Sequence, residues 1–266
     1  MTKVIILAAG RGSRLGKYTE NKPKCLAKLG AQSLIEWQLD VLRSVGLQDI
    51  TIVAGYKNEL LKFHNVEKIV NHNWEKSNMV ESLFCAEKLF NDDLIITYSD
   101  IVYEPRIISS LINSNHDISI TVDKAWRELW NIRFTNPLDD AESLKLNESG
   151  FVIDIGNKVE NINEIQAQYM GLIKIKKDAI KDLIIARQSM KDNNRDWKKS
   201  RNIENAYMTD LLMELIINKK EIYAVQNSFG WLEIDNDSEY EKILEMINDG
   251  SIKNFFDNSK INSHEN

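Results

Sequence analysis

The sequence is poor in the features that mark several large protein classes. Only two cysteines occur in 266 residues, Cys25 and Cys85. They lie far apart in the chain, which excludes a disulfide framework or a cysteine-rich metal cluster, and each is read as a buried thiol. The four histidines, His64, His72, His116 and His264, show no pairing or ligand spacing. With no serine or cysteine placed to make a triad with them, nothing asks for a covalent intermediate. There are only three prolines and no low-complexity linker, so the chain reads as one compact unit. No internal repeat is visible. No basic block occurs and the net charge is −6, which argues against a general nucleic-acid binder. No apolar run approaches membrane-helix length, so no membrane partner is expected. Met1-Thr2-Lys3 leads straight into a strand with no signal peptide, and a cytoplasmic location is expected.

What is present is an alternation of short apolar runs with helical periods. Val4 to Ala9 is brief and β-branched, as in a buried parallel strand. It runs into Gly10-Arg11-Gly12-Ser13-Arg14, a glycine-rich turn whose backbone N–H groups can approach a phosphate chain. An ordinary strand-to-helix turn competes with that reading. A dinucleotide loop fits less well, since Leu15 stands where G-x-G-x-x-G needs its third glycine, and no Walker loop is present. Strands are predicted at 49–54, 68–71, 94–98, 118–122, 151–155, 171–175, 221–225 and 230–235. Helices are predicted at 33–45, 58–64, 77–89, 104–113, 178–186, 206–217 and 238–248. The period fails over 124–150, which reads as an inserted segment. Residues 187–202 read as a loop or exposed helical end, and 251–266 as a polar, partly disordered tail. The fold class expected is α/β, a Rossmann-like doubly wound and mostly parallel sheet within a single domain over 1–250.

A family resemblance rests on two motifs. Leu7-Ala8-Ala9-Gly10-x-Gly12-x-Arg14-Leu15 followed by Lys22-Pro23-Lys24-Cys25-Leu26 resembles the nucleotidyltransferases that activate sugar phosphates and small phosphorylated alcohols or amines. The later motifs resemble the phosphocholine- and phosphonate-type cytidylyltransferases, up to about residue 245. The resemblance implies a nucleotide site of Leu7, Ala8, Ala9, Gly10, Gly12, Ser13, Arg14, Lys24, Tyr56, Asn78, Ser82 and Ser99. Helix capping competes with a nucleotide role for Asn78. Arg14 and Lys24 would offset phosphate charge, and both are expected to be solvated in the free protein.

The same resemblance implies Mg²⁺ bound by Asp100 and by Asp235 or Glu233, in Tyr98-x-Asp100 and Trp231-x-Glu233-Ile234-Asp235. Hard carboxylate oxygens from distant segments suit that ion. It implies an acceptor site of Trp126, Trp130, Arg133, Lys158, Tyr169, Gly171, Asp210 and Trp231. Aromatic faces there could hold an ammonium, although packing of the insertion by the tryptophans competes. Arg14, Lys24, Asp100 and Lys158 would carry the chemistry. The implied substrates are CTP and a small phosphorylated acceptor (phosphocholine, 2-aminoethylphosphonate or phosphoglutamine), and pyrophosphate is released. The product would serve cell-surface polysaccharide or lipid decoration. A sugar-1-phosphate nucleotidyltransferase using UTP, dTTP or GTP, and a non-catalytic nucleotide-binding domain, are the alternatives. A homo-oligomer is compatible with the sequence.

Overall fold

A computed structural model of the chain describes residues 2–193, 202–257 and 259. Thirteen strands occur among the described residues, in chain order. The first seven are β1 (Thr2–Ala8), β2 (Lys28–Leu29), β3 (Gln32–Ser33), β4 (Asp49–Ala54), β5 (Glu67–Val70), β6 (Asp93–Tyr98) and β7 (Ile101–Tyr103). The others are β8 (Ile118–Asp123), β9 (Glu142–Leu146), β10 (Val152–Lys158), β11 (Gln168–Ile175), β12 (Tyr223–Asn227) and β13 (Trp231–Glu233). The α-helices are α1 (Leu34–Ser44), α2 (Met79–Phe84), α3 (Pro105–Ile112), α4 (Trp126–Arg133), α5 (Ile180–Asn193), α6 (Met208–Ile217) and α7 (Asp237–Asp249).

Seven strands form the central sheet in the order β12-β8-β11-β6-β1-β4-β5. The pairs β1–β4, β1–β6, β4–β5 and β12–β8 are parallel, and β11 runs antiparallel to both its neighbours. The sheet is therefore mostly parallel, as the sequence predicts. The central strand β1 is covered on both faces. Val4, Ile6 and Ala8 of β1 pack with α1, α3 and α7, whereas Ile5 and Leu7 face α2, α5 and α6. Burial of alternate residues on opposite faces makes β1 apolar from Val4 to Ala8.

Local chemistry sets the helix ends. Ser33 and Glu36 form a reciprocal capping box at the start of α1. Asn236 accepts from the Glu239 N–H at the start of α7, and Gly250 ends that helix in the left-handed region at φ 80°. Helix α2 is shorter than the predicted 77–89, with a separate 3₁₀ turn at Glu87–Leu89.

Further parts of the chain differ from the sequence expectation. Residues 124–150 contain α4 and β9, and Trp126, Leu129, Trp130 and Arg133 are all buried at helical spacing. The period was hidden because its last member is an arginine. The polar tail packs further than expected: Ile252 and Phe256 are buried, and the Phe256 ring lies 5.1 Å from that of Trp37. Residues 258 and 260–266 of that tail, and 194–201 of the predicted loop, lie outside the described residues. Cys25 is buried as expected, but Cys85 is exposed at the end of α2. No described helix is long and apolar enough to cross a membrane.

One small pairing organises the site. β13 runs antiparallel to β7, and the Ile234 N–H donates to the Asp100 carbonyl at 3.0 Å. Asp100 sits between β6 and β7, and Asp235 follows β13 by two residues. This two-stranded ladder carries both carboxylates to the carboxyl edge of the central sheet, where open α/β sheets bind ligands.

Candidate active site

The turn after β1 forms one wall of a cavity of about 260 Å³. Leu7, Ala9, Gly10, Gly12, Arg14 and Lys24 line it, together with Asn78, Ser82, Ser99 and Asp100. Gly12 is left-handed at φ 72°, and a Cβ there would lie 2.5 Å from the Lys24 Cβ. The glycine thus lets the Lys24 stem run against the loop backbone. Ala8 belongs instead to the core, and Ser13 begins a 3₁₀ turn outside the cavity lining. Tyr56 is also outside. Its N–H donates to the Ala9 carbonyl at 2.9 Å and its hydroxyl to the Glu20 carbonyl at 2.7 Å. It braces the loop from behind, edge-on to Trp74, which does line the cavity.

Asn78 caps α2, accepting from the Met79 N–H at 2.9 Å and donating to the Asn205 carbonyl at 3.3 Å. Ser82 accepts from Asn71 at 3.0 Å and donates to the Asn78 carbonyl at 3.2 Å. Both reach the cavity while already serving the fold.

Asp100, on the lining of this cavity, belongs to an acidic cluster. Carboxylate oxygens of Asp100, Glu233 and Asp235 lie within 4.8 Å of one another. Three cations hold them there. Lys24 Nζ is 2.8 Å from Asp100 Oδ2 and 2.8 Å from Asp235 Oδ1. Arg14 Nη2 is 3.1 Å from Asp235 Oδ1. Arg133 Nη1 is 2.9 Å from Glu233 Oε2, and its Nη2 is 3.5 Å from Glu239 Oε2. Lys24 is thus buried, contrary to the expected solvated state, whereas the Arg14 side chain keeps 66% of its surface exposed. Their different surroundings explain this, since Lys24 spans two carboxylates and Arg14 touches one from outside.

Charge separates the acids. Burial alone would raise the Asp235 carboxyl, but Lys24 and Arg14, with Arg133 behind them, hold it below the usual range. Burial and then the adjacent Asp235 push Glu233 up to about 8 against the pull of Arg133. Asp235 is therefore the readily ionised member. The Asp100 Oδ1 atom is buried and has no hydrogen-bond partner among the described residues. An orphaned carboxylate oxygen beside two more acids fits a hard divalent cation such as Mg²⁺.

A second cavity of about 440 Å³ opens on the other side of this cluster. It shares Arg14, Met79, Asp100 and Tyr207 with the first. Tyr98, Trp130, Asp140, Glu142, Ser143, Ile155, Gln168, Tyr169, Thr209, Glu233 and Asp235 complete its lining. Gln168 grips the Glu142 backbone from both sides, donating to its carbonyl at 2.6 Å and accepting from its N–H at 3.4 Å.

Of the predicted acceptor residues, Trp130 and Tyr169 reach this cavity. Trp126 and Trp231 are each only 1% exposed and do not line it. Trp231 instead donates its ring N–H to Asp123 at 3.0 Å. Arg133 is buried below the acids, its guanidinium 4.5 Å from the Trp130 ring and 5.0 Å from the Phe134 ring. It therefore balances the acidic cluster and is not free to meet a substrate. Lys158 is exposed, opposite Glu142 in the β9–β10 ladder, and lines neither cavity. Asp210 accepts from the Tyr207 N–H at 2.8 Å and caps α6. Gly171 acts indirectly: at φ 80° its missing Cβ leaves room for the Tyr98 ring, which a Cβ would meet at 3.0 Å.

The sequence reading missed Trp74, Met79, Tyr98, Glu142, Gln168 and Tyr207. Tyr98, beside Asp100 at a strand end, carried a local signal, and Gln168 and Tyr207 lie in the segments 168–172 and 206–211 that resemble the family's acceptor side. The placement of Trp126 sets one expectation. Trp126→Ala should cost about 3–5 kcal/mol of stability by opening a large core void, leaving the acceptor KM of the folded fraction unchanged. Denaturant unfolding read beside initial rates separates the two.

Residues 4–145 match the MobA-like NTP transferase domain. The chain belongs to that family. Among relatives of this NTP transferase, the CTP:phosphoglutamine cytidylyltransferase of Campylobacter jejuni is 38% identical over 252 residues, covering 91% of this chain and 98% of the relative. A choline-phosphate cytidylyltransferase of Haemophilus influenzae is 27% identical, covering 91% and 96%. The solved CTP:phosphocholine cytidylyltransferase of Streptococcus pneumoniae shares the fold, with a TM-score of 0.68 at 20% identity over 92% of this chain and 99% of that one. The protein is an enzyme of the nucleotidyltransferase class.

Proposed function

We propose that this NTP transferase is a Mg²⁺-dependent cytidylyltransferase. It moves CMP from CTP to a small phosphorylated amine or amino acid, with phosphoglutamine the favoured acceptor, and releases pyrophosphate. The observation that carries this reading is the pair of cavities joined at Arg14 and Asp100. One is walled by a phosphate-type loop, and the other is rich in acids and aromatic rings. The favoured acceptor comes from the Campylobacter jejuni relative, which matches along nearly its whole length.

The nucleotide would lie along Gly10 and Gly12, which line the first cavity, with its base toward Trp74, Asn78 and Ser82. The acceptor phosphate would enter from the second cavity beside Arg14. Its attacking oxygen is already ionised, so no residue is needed as a general base. Arg14, exposed and held by one carboxylate, is free to turn onto phosphate. Asp140 and Glu142, with the rings of Tyr98 and Tyr169, suit an amine on the acceptor. Asp100 and Asp235 would hold Mg²⁺, which supplies charge neutralisation between the two phosphate groups. Catalysis is then positioning plus electrostatic stabilisation of an in-line displacement. The CDP-linked product would act as an activated donor in the cytoplasm for surface glycan or lipid decoration.

Pyrophosphate release tests the reading directly. The full chain is incubated with each of the four nucleoside triphosphates and a panel of phosphorylated amines, amino acids and sugars. Release should require CTP, an amine-bearing acceptor and Mg²⁺ together. Equal turnover with UTP and a sugar 1-phosphate would make it a sugar activator, and no turnover with any pair would leave a nucleotide-binding domain.

A further inference from the structure

We infer that Lys24 is the resident cation of the acidic site, so that a divalent ion enters only together with a nucleotide whose phosphates draw the ammonium away. This rests on the proposed metal role of Asp100 and Asp235. It adds a statement about the free protein.

The geometry is specific. The Lys24 ammonium bridges one oxygen of Asp100 and one of Asp235 at 2.8 Å each. The residue is only 8% exposed, so the bridge is shielded from competing water. An ammonium between two carboxylates takes the place that a shared metal ion would need. Arg14 and Arg133 add two further positive charges, 3.1 and 3.7 Å from the Asp235 carboxylate. Without phosphate, an incoming dication meets a cluster whose charge is already largely balanced, and it must displace a lysine that has nowhere better to go.

A bound nucleotide changes that balance. The Lys24 stem lies against Gly12 of the phosphate loop, closely enough that no side chain fits between them. Lys24 also lines the nucleotide cavity. A triphosphate on that loop therefore offers the ammonium a strong alternative partner within reach of a rotation of its own side chain. As it leaves, Asp100 and Asp235 are exposed to a cation arriving on the same triphosphate. Asp100 Oδ1, buried and without a hydrogen-bond partner among the described residues, gains a partner in that second arrangement. Lysine and metal are thus alternative occupants, and the nucleotide selects between them.

The test is Mn²⁺ binding to the full chain, read by electron paramagnetic resonance without any turnover. Wild-type protein should bind Mn²⁺ at least tenfold more tightly with CTP present than without nucleotide. Lys24→Met keeps the length of the stem and removes its charge. It should bind Mn²⁺ without nucleotide at least tenfold more tightly than wild type, and adding Asp100→Asn should abolish the gain. If Lys24→Met does not fold, Lys24→Gln keeps one hydrogen-bond donor and carries the same expectation. Tight binding by nucleotide-free wild type, no gain in the lysine variants, or a gain that survives Asp100→Asn would each overturn the inference. The gain in the variants depends on neither base nor acceptor. Wild type responding to a different triphosphate in place of CTP would overturn the proposed substrate and leave the lysine exchange standing.

Discussion

Asp100→Asn is expected to lower kcat by about 10²–10³-fold or more while the protein stays folded, and Asp235→Asn should do the same, as expected when a charge-organising group is lost at a preorganised site. The change keeps the shape of each side chain and removes only the charge. Asp100 stands at the boundary of both cavities, and Asp235 faces it through Lys24. Neither can be replaced by its neighbour, because β7 and β13 fix them as a pair. The double variant should therefore be little worse than either single one, as for residues that act as a unit. Glu233→Gln is the contrast. Its carboxyl is already engaged by Arg133 and pushed up to about 8, so removing its charge should cost far less. Steady-state rates with circular dichroism decide the matter, and an inactive Glu233→Gln beside an active Asp235→Asn would move the second ligand back by two residues.

Arg133→Met should lower stability by about 3–5 kcal/mol, because it strands buried acids without their counter-ion. Glu239 is buried, and its carboxylate both faces Arg133 and accepts the Asp235 N–H at 2.9 Å. Removing the guanidinium leaves Glu233, Asp235 and Glu239 repelling one another. Lysine should recover only part, since the planar group packed against Trp130 and Phe134 is lost. Adding Glu239→Gln should recover more. The pH dependence has a definite sign. Without Arg133, the folded-state pKa of Glu233 and Glu239 rises further above the ordinary 4.5. Groups raised in the folded state favour folding below their unfolded value and lose that contribution as pH rises. The deficit of the variant should accordingly grow as pH rises through the wild-type folded-state values, about 8 for Glu233. Urea midpoints well below and well above that value measure it, and equal deficits would contradict the charge argument.

Much of the scaffold was legible because its signals are local. The β-branched run of β1 and the apolar period of α1 announce themselves within a dozen residues, and Asp100 follows its strand directly. The acceptor side was less legible because it depends on partners far along the chain. Arg133 reads as a free cation until Glu233 and Glu239 are seen beneath it. Asp210 reads as an amine ligand until the Tyr207 N–H is found on it. Trp126 has the aromatic face a cationic ligand would use, but the helix that carries it turns that face into the core. Lys24 was placed at phosphate by its motif, and nothing local to it indicated two acids within reach. In each case residue type was readable and orientation was not, because orientation is settled by contacts that the linear order does not display.

Because the two cavities share Arg14, Met79, Asp100 and Tyr207, they constrain the order in which products leave. On the proposed reading, each substrate is held by its own half of the site. The product is one molecule anchored in both halves. Once joined, each end keeps the other near its pocket, so the linkage raises the local concentration that rebinding sees. Pyrophosphate has no such second anchor and departs first. Dissociation of the joined product is then the slow event, and the first turnover should appear as a burst of pyrophosphate in rapid-quench measurements. A linear time course from the start would show that the two halves release their contents independently.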